Sequence, residues 1–210
     1  PTILKVNSSN SLARGGAAPS QAVTGSVSEA LRLGCAAIGF TIYPGSDAAF
    51  DMIGQFKEMA AEAKAKGLVV ILWSYPRGGD LSKAGETALD ITAYSAHMAA
   101  LLGAHIIKVK PPTDHLEQPE ARAVYEATGV PRETLSDRIR HIMQSSFAGR
   151  RIVVFSGGAA KDRDGLLDDI RALRDGGANG SIIGRNSFQR SREDALDLLR
   201  NVIKIYQGKF

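Results

Sequence analysis

The chain has 210 residues, 44% of them apolar and 23% charged, with 22 Gly and 8 Pro; this excludes collagen-like, disulfide-stapled and low-complexity classes and supplies the core of one domain. Lys and Arg number 26 against 22 Asp and Glu, and with both signs mixed along the helical stretches the small excess points to a small anion, not to nucleic acid. The lone Cys35 cannot form an internal disulfide, which favours a reducing, cytoplasmic setting, and no apolar run nears the ~18–20 residues that cross a membrane.

In chain order, β-branched apolar runs at 2–6, 36–43, 68–74, 105–110, 151–155 and 180–184 predict six strands. Amphipathic stretches with usable caps lie between them. Ser26 and Glu29 have capping-box spacing, and Gly34 stops that helix. Asp47 is placed to cap a helix running through Ala65. The next stretch, 87–102, ends at Gly103; another is opened by Pro131, Arg132 and Glu133 toward Phe147. A helix over 164–174 ends at Gly176, and Ser191 with Asp194 starts the last one.

Strand ends recur about every 30–35 residues, the rhythm of βα units, apart from one step lengthened by a polar insertion at 111–129. Alternating strands and helices imply parallel pairing with right-handed crossovers. No linker divides the chain, so 1–210 reads as a single domain. Six strands leave two architectures open: an open doubly wound sheet, or a (β/α)8 TIM barrel whose first two βα units are missing from this chain.

Both architectures place chemistry at the C-terminal ends of the strands. Alternation in the run 105–110 puts Lys108 and Lys110 on one face and Ile107 and Val109 on the other. A desolvated lysine has a lowered pKa and supplies the neutral amine that attacks a carbonyl. The resulting iminium is an electron sink for breaking a neighbouring C–C bond. Lys5 shares a face with Ile3 and Asn7 and competes for that role; alternation alone does not choose between Lys5 and Lys108. Trp73 and Tyr75 share a face ahead of Pro76 and Arg77, and Tyr75 is a candidate acid/base, its phenol pKa expected to fall beside the cations. The last two strands run into Ser156-Gly157-Gly158 and Gly184-Arg185-Asn186, glycine-rich ends suited to a phosphate. None of His97, His105, His115 and His141 has metal-ligand spacing, so no metal and no cofactor is expected.

At these residues the chain resembles the archaeal-type (DhnA-type) class I fructose-bisphosphate aldolases. The matching segments are ILKVN (3–7), GFTIYPGS (39–46), WSYPRGG (73–79), IIKVK (106–110), FSGG (155–158) and GRNSFQR (184–190). The resemblance implies a metal-free (β/α)8 barrel and reversible cleavage of fructose 1,6-bisphosphate to dihydroxyacetone phosphate and glyceraldehyde 3-phosphate, a step of glycolysis and gluconeogenesis. It makes Lys108 the Schiff-base lysine, in preference to Lys5, and gives Tyr75 the proton of the hydroxyl at the cleaved bond. Trp73 becomes the aromatic that positions substrate, with Arg77 and Lys110 beside it. Ser156, Gly157, Gly158, Gly184 and Arg185 match the phosphate loops. A homo-oligomer built on pentameric rings is implied, with neither nucleic acid nor membrane as partner. The family's first strand, with its supporting aspartate, has no counterpart here, so the barrel is expected to be N-terminally incomplete and, if that part is physically gone, poorly active. A related Schiff-base thiolase or ketose-phosphate synthase, and a non-catalytic phosphosugar-binding scaffold, are the alternatives.

Overall fold

The structure is a computed structural model that describes residues 1–10, 12, 18–156 and 161–209. In chain order its strands are β1 (Ile3–Lys5), β2 (Asn7–Ser8), β3 (Ala22–Val23), β4 (Ala37–Ile42), β5 (Val69–Ser74), β6 (Ile106–Val109), β7 (Ile152–Ser156) and β8 (Gly180–Ile182). The helices are α1 (Val27–Arg32), α2 (Ala49–Ala65), α3 (Leu89–Leu101), α4 (Pro119–Thr128), α5 (Leu135–Ser145), α6 (Arg163–Asp175), α7 (Arg185–Phe188) and α8 (Arg192–Tyr206). All six predicted strands are present. The pair β2 and β3, two residues each and antiparallel, was below any periodicity that a sequence can display.

The order of the main sheet decides between the two architectures. It runs β1-β4-β5-β6-β7-β8 with every pairing parallel. A doubly wound sheet reverses direction at a switch point and carries helices on both faces. An unbroken sequence of right-handed crossovers places all helices on one face, the construction of a barrel wall. The sheet is therefore a six-stranded parallel half-barrel. Ile38, Phe40, Ile42, Val70, Leu72, Ile107, Val109, Val153 and Phe155 are buried toward the helices. The Phe40 ring, for example, meets Phe56 of α2 at a centroid distance of 5.6 Å. Alternate residues, among them Gly39, Trp73, Lys108 and Ser156, occupy the concave face.

Helix starts follow hydrogen-bond satisfaction, which corrects two expectations. At α1 the capping box forms as read: Ser26 Oγ accepts from Glu29 N–H at 3.2 Å, and Glu29 accepts from Ser26 N–H at 2.9 Å. Asp47 does not cap α2, which starts after Ala48 without a side-chain cap; Ser46 Oγ accepts the Ala48 N–H instead, at 3.2 Å. Nor does Pro131 open α5. That helix starts after Thr134, whose hydroxyl accepts from Asp137 N–H at 3.1 Å while the Asp137 carboxylate returns to the Thr134 backbone N–H. A proline removes an orphan donor, whereas a threonine cap satisfies one. Thr134→Ala is expected to lower stability by about 1 kcal/mol, seen as a lower urea midpoint at unchanged slope. The insertion at 111–129 holds a helix of its own, α4, with proline in its first turn and Gly129 closing it at φ 62°.

Candidate active site

The concave face converges on Lys108. It pairs in register with Trp73 of β5 on one side and Val154 of β7 on the other. Its flanking residues Ile107 and Val109 are wholly buried toward the helices, so the amine points inward, as the alternation requires. Lys108 Nζ lies 5.6 Å from the Trp73 ring centroid and 5.7 Å from that of Tyr75. Among the described residues it has no hydrogen-bond or ion-pair partner. Burial lowers its pKa to about 8, since an ammonium loses hydration there.

Trp73 reaches this position because Gly39 of β4 offers it no side chain to climb over. A Cβ at Gly39 would stand 2.2 Å from the indole Cζ3, so the ring crosses the neighbouring strand above a bare backbone. A glycine inside a strand signals such an approach, and Gly39 is a positioning residue that the sequence reading passed over. Lys5 lies beyond the same indole, its Nζ 5.9 Å from the ring centroid. It donates to the Asn7 side-chain oxygen at 2.7 Å, to Gln21 Oε1 at 3.0 Å and to the Asn7 carbonyl. Burial lowers its pKa too, to about 8.

A cavity of about 1030 Å³ opens on the lysine side of this arrangement. Its wall includes Tyr75, Lys108, Lys110, Ser156, Gly184 and Arg185, with Arg77 at the rim. Trp73 stands behind that wall. Gly157 and Gly158, the other expected phosphate-loop residues, lie outside the described residues. The loops after β7 and β8 are tied together: Lys161 N–H donates to Asn186 Oδ1 at 3.2 Å, and Arg190 donates to the carbonyls of Asn186 at 2.7 Å and Lys161 at 3.2 Å. Lys161 and Arg138 add cationic side chains to the cavity wall that the sequence did not single out.

One expectation about charge is corrected, and one pairing is new. Glu86 holds Lys110 at 3.1 Å at the strand end and also lies 4.0 Å from Arg77 Nε. Burial works to raise the Glu86 carboxyl, but hydrogen bonds from Lys83 and Lys110 outweigh it and hold the group below the usual carboxylate range. The Tyr75 phenol is raised, not lowered: desolvation dominates, and the opposing influence of Arg77 is the smaller one. Tyr75 therefore stays protonated through the neutral range.

One wall of the cavity is laced to its neighbour. Buried Asp90, near the start of α3, accepts the backbone N–H groups of Glu117 and Gln118, each at 3.0 Å. Leu89 N–H donates to the His115 carbonyl at 2.9 Å and Thr113 N–H to that of Thr87 at 2.8 Å. The Glu117 carboxylate accepts from Ser82 N–H at 2.7 Å and from His115 at 2.8 Å. The β5–α3 and β6–α4 connections thus form one body.

A barrel wall that presents a desolvated lysine, a buried phenol and a glycine-bearing cationic rim at its strand ends has the equipment of Schiff-base chemistry. Residues 1–190 match the DeoC/LacD family aldolase, and the chain belongs to this family. It is 35% identical to the class 1 fructose-bisphosphate aldolase of Thermoproteus tenax over the whole of this chain and 69% of the relative. It is 34% identical to the enzyme of the same name from Halobacterium salinarum, over 96% of this chain and 66% of the relative. The chain thus spans about two thirds of the length of these relatives. It also superposes, with a TM-score of 0.81 and 30% identity over 98% of this chain and 71% of the other, on an archaeal fructose-1,6-bisphosphate aldolase whose catalytic Lys is covalently bound to the carbinolamine intermediate of the substrate.

Proposed function

We propose that this chain carries the site of a class I fructose-bisphosphate aldolase, with Lys108 as the Schiff-base lysine. The observation that supports it best is the Lys108 amine, desolvated and unpartnered among the described residues, beside Tyr75 and in one cavity with Ser156, Gly184 and Arg185. The neutral amine adds to the ketone carbon, and loss of water gives an iminium. Cleavage removes the proton from the hydroxyl of the bond to be broken; the electron pair of that C–C bond moves into the iminium, leaving an enamine and an aldehyde. Tyr75 is the group within reach for that proton. With its phenol held protonated by burial, it protonates the aldehyde oxygen in the condensation direction and becomes the phenolate; in cleavage the phenolate takes the hydroxyl proton and the phenol is restored. Ser156, Gly184 and Arg185 are assigned to one phosphate, with Gly157 and Gly158 added by the family resemblance alone, while Arg77 and Lys110 line the cavity as well and Trp73 packs beside Lys108. The reaction needs no metal or organic cofactor. Among the described residues no helix is long and apolar enough to cross a membrane, and the resemblance to the archaeal-type aldolases supports a cytoplasmic homo-oligomer acting on a sugar phosphate, not on nucleic acid.

Borohydride reduction in the presence of dihydroxyacetone phosphate tests this reading, followed by intact mass and peptide mapping. One reduced adduct on the Lys108 peptide is expected. An adduct elsewhere refutes the assignment, and no adduct refutes the aldolase reading. An adduct without condensation onto glyceraldehyde 3-phosphate moves the activity to another phosphorylated ketone.

A further inference from the structure

Within the strands, β1 and β6 each turn one lysine inward, Lys5 and Lys108, and their surroundings divide their roles. Lys5 faces three acceptors for its three ammonium protons. Those acceptors are fixed in turn. Asn7, fully buried, donates to the Thr41 carbonyl and accepts from Thr41 N–H, both at 2.8 Å. Gln21 donates to the Tyr43 hydroxyl at 2.7 Å. An ammonium committed to three acceptors has no lone pair to offer a carbonyl, whereas among the described residues the Lys108 amine has no such commitment. Lys5 also stays outside the cavity wall that Lys108 lines.

What Lys5 does touch is Trp73. Below the outer edge of the indole lies the bare backbone of Gly39, so no side chain of that residue holds the ring there. Among the described residues two cations lie over it, Lys5 at 5.9 Å and Lys108 at 5.6 Å, both within the range at which a cation is attracted to the ring face. We infer that Lys5 is a positioning residue: a cation locked by Asn7 and Gln21 that holds the Trp73 indole against Lys108 and so sets the place of the reacting amine. This deepens the Schiff-base reading and rests on it. The β2–β3 hairpin region acquires a purpose on this view, because it carries the acceptors that lock the cation.

The chain has a single tryptophan, so tryptophan fluorescence reports the surroundings of this one indole. Lys5→Met and Lys5→Arg are compared with the parent protein in folding midpoint, Trp73 emission and acrylamide quenching, and the rate of borohydride-trapped adduct formation. In Lys5→Met the adduct is expected still to form on Lys108, about tenfold more slowly, with a shifted and more quenchable emission. Lys5→Arg, which keeps a cation near the ring, is expected to recover most of both. Gln21→Met, which removes one acceptor and leaves Lys5 in place, should move both readouts the same way by less; it carries the test if Lys5→Met does not fold. Parental trapping rate and emission in Lys5→Met overturn the inference, as does an arginine variant no better than methionine. So does an adduct on Lys5 itself. A parent protein that forms no adduct refutes the Schiff-base reading and takes the role of Lys5 in it as well, whereas the emission shift alone would still identify Lys5 as the clamp of the indole.

Discussion

Lys108→Met is expected to abolish borohydride trapping and to lower turnover of fructose 1,6-bisphosphate by about four orders of magnitude or more, because the covalent path itself is removed. In the parent protein the neutral amine is the reactive form. With a pKa of about 8, only about one-tenth of it is neutral at pH 7. The apparent second-order rate should therefore climb with pH and level off above about pH 8. Stability should move the other way on substitution. The folded-state pKa lies below that of the unfolded chain, so the native protein carries a desolvated ammonium below pH 8, and stability rises with pH between about 8 and 10.5 as the native amine gives up its proton first. Methionine removes that burden. The variant is expected to have the higher urea midpoint at pH 7, with its advantage fading toward pH 10. Equal midpoints at pH 7 would show that Lys108 is better solvated than its surroundings indicate.

The second large effect is expected at Tyr75. Tyr75→Phe keeps the ring beside Lys108 and deletes the acid. The loss should be about 10²–10⁴-fold in cleavage, while trapping of dihydroxyacetone phosphate on Lys108 continues, because imine formation with the smaller ketone does not break a C–C bond. Loss of trapping together with cleavage would assign Tyr75 to an earlier step than the one given to it here. The separation of the two readouts is the useful part: it distinguishes a proton carrier from a residue that only shapes the cavity.

The parts of the site that rest on periodicity were legible in the sequence, and the parts that rest on neighbours from distant segments were not. Lys108 could be placed on the inner face because Ile107 and Val109 declare the outer one. The six strands were legible for the same reason, and Ser26 with Glu29 marked a helix start from four residues alone. Alternation could not separate Lys5 from Lys108, since the difference lies in Asn7 and Gln21, the latter 16 residues from Lys5. The direction of the Tyr75 shift was missed because a sequence shows the nearby arginine but not the burial that outweighs it. The pairing of Lys110 with Glu86 was not legible, because the two lie 24 residues apart. Gly39 did carry a local signal, a glycine within an apolar strand, but its meaning required knowing which ring lies above it.

The lacing of residues 82–90 to 113–118 bears on how such a site can diverge. Changes there would have to come in matched pairs, since Asp90 serves two amides of another segment and Glu117 serves Ser82 and His115. The opposite wall, where Ser156, Gly184 and Arg185 approach the cavity, is braced by other residues, Asn186 joining Lys161 and Arg190. Two walls held by separate sets of partners can change one at a time, so a substitution at the phosphate end need not disturb the segments beside the bond-breaking residues.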